Sequence, residues 1–161
     1  LPKHQGGFNF DVRFKAITIS ALFSYQFDVT RYDNTGNWIT RGTLGYHQAV
    51  RASRALIDGQ WQKAGDVKRF QSSAFDRGFN SSDVADAKFL RFRNLVVSYA
   101  VPTIKTASGT TLIKSARFYV QGQNLAIWSP WKGVDPEDNN NISLNEYPNP
   151  RTFVVGIDIN F

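Results

Sequence analysis

The sequence predicts an all-β chain: antiparallel strands of the kind that wall a transmembrane β-barrel, carrying long external loops. Three observations lead there. Apolar and polar residues alternate with a period of two in five segments. The connections between those segments alternate short and long. No run of about 18 or more apolar residues occurs, so no membrane-crossing helix is encoded. A barrel strand needs only about 9–11 alternating residues.

The first segment, residues 7–15, sets Phe8, Phe10, Val12 and Phe14 against Asn9, Asp11 and Arg13. The second, residues 17–28, sets Ile17, Ile19, Ala21, Phe23, Tyr25 and Phe27 against Thr18, Ser20, Ser24, Gln26 and Asp28, with Leu22 the apolar exception. The third, residues 89–101, changes phase: Leu90 and Phe92 have one parity, and Leu95, Val97, Tyr99 and Val101 the other. A β-bulge at Asn94 would restore a single apolar face. In the fourth, residues 116–127, Phe118, Val120, Gly122 and Ala126 oppose Arg117, Tyr119, Gln121 and Gln123. The fifth, residues 152–161, sets Phe153, Val155, Ile157, Ile159 and Phe161 against Thr152, Val154, Gly156, Asp158 and Asn160.

Lys15-Ala16 joins the first two segments, and a turn opening with Pro102 joins the third and fourth. Residues 29–88 and 128–151 form the long connections. Outer-membrane barrels keep short turns in the periplasm and long loops outside, which gives every strand a direction and ends the last one inward. Within the first long loop, Tyr46 to Gln62 lacks Pro and carries Ala49, Ala52, Ala55, Leu56, Arg51 and Arg54, a pattern for a short surface helix.

Composition narrows the function classes. The 161 residues include thirteen Phe and no Cys, so disulfides, thiol catalysis and Cys-based metal sites are excluded. There is no Met and no secretory leader, which leads us to expect a piece of a longer or processed chain, without the upstream domain and strands of a complete barrel. The net charge of +6 is scattered rather than clustered, so no nucleic-acid partner is expected.

No catalytic constellation is visible, and the chain is not expected to be an enzyme. His4 and His47 stand alone. No cofactor is expected; Asp135-Pro136-Glu137-Asp138 offers oxygen ligands for calcium, but turn formation by Pro explains it more simply. Trp128 and Trp131 flank Pro130 at the expected external edge. Trp128 reads as an interfacial anchor, and Trp131 is open between an anchor and a stacking platform for substrate. Arg117, Tyr119, Gln121 and Gln123 are expected to line a lumen, where such residues tune what passes. Phe8, Phe14, Phe23, Tyr25, Tyr99, Val120, Val155 and Ile157 are expected to face lipid or its interface.

More specific signals follow from ordered motifs. They are Phe89-Leu90-Arg91-Phe92-Arg93-Asn94-Leu95-Val96-Val97-Ser98-Tyr99-Ala100-Val101-Pro102, then Ala116-Arg117-Phe118-Tyr119-Val120-Gln121-Gly122-Gln123-Asn124-Leu125, then Gly133-Val134-Asp135-Pro136-Glu137, Tyr147-Pro148 and the run from Arg151 to Phe161. In this order they resemble the closing strands of SusC/RagA-family TonB-dependent transporters. Trp61-Gln62-Lys63-Ala64-Gly65-Asp66 is similar to that family's W-x-x-x-G-D element, and Gly6-Gly7-Phe8 to the start of an earlier hairpin. A terminal Phe161 resembles the C-terminal assembly signal of outer-membrane barrels. The resemblance implies the last five strands of a barrel of about 22, in the bacterial outer membrane. It also implies a SusD-like lipoprotein lid, energy from the TonB complex through an upstream region, and import of glycans or peptides. The alternative reading is a soluble carbohydrate-binding β-sandwich or barrel that buries the same apolar residues in a core.

Overall fold

The computed structural model describes residues 1–40, 54–76, 78–105, 107–109, 111–137, 142 and 147–160. The chain divides into two compact units, one of Leu1–Asp28, Lys88–Pro130 and Pro148–Phe161, the other of Val29–Ala87 and Trp131–Tyr147. Among the described residues the strands, in chain order, are β1 (His4–Phe14), β2 (Ile17–Phe27), β3 (Thr30–Tyr32), β4 (Val84–Asp86), β5 (Phe89–Val101), β6 (Ile104–Lys105), β7 (Thr111–Ile113), β8 (Ser115–Trp128) and β9 (Thr152–Asn160). The helices are α1 (Asn34–Thr40) and α2 (Arg54–Gly59).

The first unit is built on one five-stranded sheet in the order β1-β2-β5-β8-β9. Every neighbouring pair is antiparallel. Registers bring the apolar positions of each strand into rows that cross the sheet. Ile17 lies opposite Tyr99, Tyr99 opposite Phe118, and Phe118 opposite Ile157. The next row runs Val12, Ile19, Val97, Val120, Val155. Because side chains alternate along each strand, a slip of one residue anywhere would move a whole row to the other face.

Strand β5 keeps one apolar face by means of a bulge. The register shifts between Phe92 and Asn94: Arg93 is the extra residue against β2, whereas β8 sets two residues, Asn124 and Leu125, against it. Across from it, β8 carries Asn124 in the left-handed region, with φ 53°. The Phe8, Phe23 and Phe92 rings then stack across three strands, at centroid separations of 5.1 Å and 4.5 Å, the second pair within 2° of parallel. Such pairs contribute about 0.5–1.5 kcal/mol each beyond their burial.

The apolar face is uncovered. Phe14 is 68% exposed, Phe153 69% and Val155 78%. A soluble sandwich would bury this face beneath a second sheet about 10 Å away, and among the described residues no second sheet covers it.

The second unit is held by short elements and long-range side-chain bonds. β3 and β4 pair antiparallel. Asp33 caps α1: its Oδ1 accepts from Gly36 N at 2.7 Å and its carbonyl from Asn37 N at 2.9 Å. Asn37, fully buried, donates to Gly78 O at 2.8 Å and Asp83 Oδ2 at 2.7 Å. The expected helix over Tyr46 to Gln62 is described only from Arg54, as α2; residues 46–53, including His47, lie outside the described residues. Phe161 and Asp138 also lie outside them.

Candidate functional site

The candidate site is the polar face of the five-stranded sheet. Its side chains alternate with the apolar rows, so one set of registers fixes both. Asp11 sits opposite Ser20 and accepts from its hydroxyl and, at 3.3 Å, from Asn9 Nδ2. Arg93 Nε donates to Ser24 Oγ at 2.8 Å, and Gln121 Nε2 donates to Asn94 Oδ1 at 3.1 Å. The bulge therefore delivers both of its side chains to the polar face, as two residues facing one partner require.

At the β8–β9 edge, Arg117 Nε and Nη2 both donate to Asp158 Oδ2, at 3.0 Å and 2.7 Å. The pair is half exposed, so it contributes at most about 1 kcal/mol and chiefly fixes the guanidinium in place. That guanidinium also stands 5.3 Å from the centre of the Tyr119 ring. Tyr119 lies directly across from Gly156, and a Cβ on Gly156 would overlap its ring. The missing side chain lets the ring lie flat over the neighbouring strand.

Arg117, Tyr119, Gln121 and Gln123 thus share one face, and Gln123 lies between Asn94 and Thr152 in register. Trp131 does not join them. It belongs to the second unit, is 8% exposed, and has the Arg31 guanidinium 5.2 Å from its ring centre. Its ring is part of that unit's interior rather than an open stacking platform. Arg31, itself buried, donates from Nη1 to the Asp135 carbonyl at 2.6 Å. Asp135 Oδ1 accepts from Glu137 N at 2.9 Å, an Asx turn.

On the other face, Phe8, Phe14, Phe23, Val120, Val155 and Ile157 lie in the apolar rows. Tyr25 and Trp128 both pair with Leu90, near one end of the sheet, and Tyr99 lies near the other. The W-x-x-x-G-D element is a closed turn. Gly65 takes φ 92°, and Asp66 Oδ2 accepts from the Gln62 and Lys63 amides at 3.0 Å and 3.1 Å. The Gly supplies a left-handed position and the Asp satisfies two amides, so both residue types follow from the turn.

No protein-family model matches the chain. The TonB-dependent receptor P3 of Formosa agariphila is 29% identical over 175 residues, covering 99% of this chain and 16% of that protein. The TonB-dependent receptor SusC of Bacteroides thetaiotaomicron is 33% identical over 81 residues, covering 48% of this chain and 8% of that protein. The structure of the RagAB peptide importer in its open-open state matches 100% of this chain and 17% of its own, with TM-score 0.86 and 25% identity. The chain matches a fragment of a SusC/RagA-like TonB-dependent transporter. In this SusC/RagA-like fragment, the antiparallel sheet is a section of barrel wall, with the β5 bulge inside it. The polar network around Asp11, Ser24 and Arg93 was not singled out by the sequence. Its one visible trace is the phase change between Phe92 and Leu95.

Proposed function

We propose that this chain is part of an outer-membrane, TonB-dependent importer of oligomeric nutrients, glycans or peptides, working with a SusD-like surface lipoprotein. The observation that carries the proposal is the match along the whole chain to the RagAB importer. The named relatives are receptors and transporters rather than enzymes, and no cofactor enters the reading.

The sheet's two faces support a place in a bilayer. From the Tyr25 row to the Ile17 row is eight residues of β2, or about 26 Å along the strand. At a tilt of about 40° this spans roughly 20 Å of height, near the apolar band of about 25 Å on such barrels. Tyr25 and Trp128 at one margin, with Tyr99 at the other, then lie at the interfaces where amphipathic rings settle. Phe8, Phe14, Phe23, Val120, Val155 and Ile157 face lipid; Arg117, Tyr119, Gln121 and Gln123 face the lumen. The outer strands β1 and β9 leave long edges that are unpaired within the sheet. Such edges need covering, and the remaining strands of the same barrel supply it.

Two measurements test the proposal. Bacteria lacking the full transporter should lose growth on one class of oligomer while keeping growth on its monomer; unchanged growth on every glycan and peptide would overturn it. Single cysteines at Val120 or Val155 in the full transporter should resist a polar thiol reagent, while cysteines at Gln121 or Gln123 should react. The reverse pattern would refute the assignment of faces.

A further inference from the structure

The turn-side end of the sheet combines an apolar groove with an unopposed group of lysines. The groove, on the apolar face, is lined by Ile17, Val97, Tyr99, Phe118, Val120 and Ile157. It exists because the row of Val97, Val120 and Val155 is low beside the taller row of Tyr99, Phe118 and Ile157. Beyond that taller row the strands turn, and the turns are stitched together. Ala100 N donates to Ala16 O at 2.8 Å, Thr103 Oγ1 to Lys114 O at 3.0 Å, and Lys114 N to Asn160 O at 2.9 Å. Those bonds gather Lys15, Lys105 and Lys114 at one end of the sheet.

All three lysines are exposed. Among the described residues none of their ammonium groups has an ion-pair partner; the Lys15 Nζ stands 5.4 Å from the Phe14 ring centre. The acidic residues of this unit are Asp11, Asp28 and Asp158. Asp28 follows β2 at the opposite end, Asp11 is bonded to Ser20, and Asp158 is held by Arg117 on the polar face. Among the described residues of the unit, no acidic side chain offsets the lysine rim.

We infer that this rim and groove bind an anionic phospholipid, one acyl chain lying in the groove and the headgroup phosphate among Lys15, Lys105 and Lys114. The inference rests on the barrel reading, which turns the apolar face toward lipid. Charge complementarity selects the ligand. Compact ammonium groups at a membrane margin attract anionic headgroups, and a groove one row farther into the apolar face accepts the attached chain.

The test uses the full transporter, extracted in detergent and exposed to mixtures of phosphatidylglycerol and phosphatidylethanolamine, with retained lipid read by native mass spectrometry. The wild type should retain phosphatidylglycerol with a preference of about tenfold or more, and the preference should fall as salt is raised. The triple variant K15Q/K105Q/K114Q should lose it, whereas the opposite-end control K3Q/R151Q should keep it. Equal retention of the two lipids by the wild type, a preference indifferent to salt, an unchanged triple variant, or an equal loss in the control would each overturn the inference. Failure of the barrel reading looks different: the protein would then stay soluble with no detergent present.

Discussion

At the scale of single residues, the polar face depends on side chains that are absent as much as on those present. Gly156 lets the Tyr119 ring lie across the β8–β9 ladder, and the same ring receives the Arg117 guanidinium. An added methyl should displace the ring and, with it, the guanidinium that Asp158 holds. We expect G156A to destabilise the folded transporter by about 1–3 kcal/mol, the usual cost of overpacking, although alanine is otherwise no worse than glycine in a strand. Adding Y119A should recover much of that loss, because the two substitutions act on one contact. Denaturant midpoints of the two single variants and the double variant check this. Strictly additive losses would mean that the ring and the glycine are not coupled.

At the scale of elements, β5 carries the constraint that holds the sheet together. Its bulge allows Phe92 to stack on Phe23 while Leu95, Val97 and Tyr99 keep to the same face. Deleting Arg93 keeps Leu90, Phe92 and Leu95 on one face but leaves Asn124 and Leu125 of β8 with no residue of β5 facing them. The deletion should reduce assembly of the folded, heat-modifiable barrel through that lost pairing. R93S keeps the residue and loses the bond to Ser24. It should assemble, at a cost of about 0.5–1.5 kcal/mol. Normal assembly of the deletion variant would show that the bulge is dispensable. This element also marks how far the sequence could be read. Periodicity revealed the strands and the phase change, because a sheet with unlike faces must alternate. It did not reveal α1, the β3–β4 pair or the burial of Trp131. Those rest on bonds between distant residues, such as Asn37 to Asp83 and Arg31 to Asp135, and leave no period. The Tyr119–Gly156 contact likewise became visible only once the register of β8 and β9 was known.

At the scale of the whole molecule, the division into two units suggests a division of labour. The second unit enters the chain between β2 and β5 and again between β8 and β9. The strands on either side of the first insertion are already neighbours, with Gln26 opposite Phe89, so a few residues could close the chain where 29–87 now intervene. The sheet's own rows and ladders contain no residue of that unit. Its interior is organised around Arg31, Asn37, Leu56 and Phe70, outside those ladders. Replacing residues 29–87 with a short Asn-Gly turn, which favours a tight antiparallel reversal, should therefore leave a full transporter that still inserts and runs as a folded barrel. The same cells should fail to grow on the oligomer whose import we propose for the intact protein. Loss of insertion would instead make the second unit part of what stabilises the wall. Undiminished growth would remove that unit from the proposed transport altogether and leave recognition to the polar face of the sheet, where Arg117, Gln121 and Gln123 would be the next residues to vary.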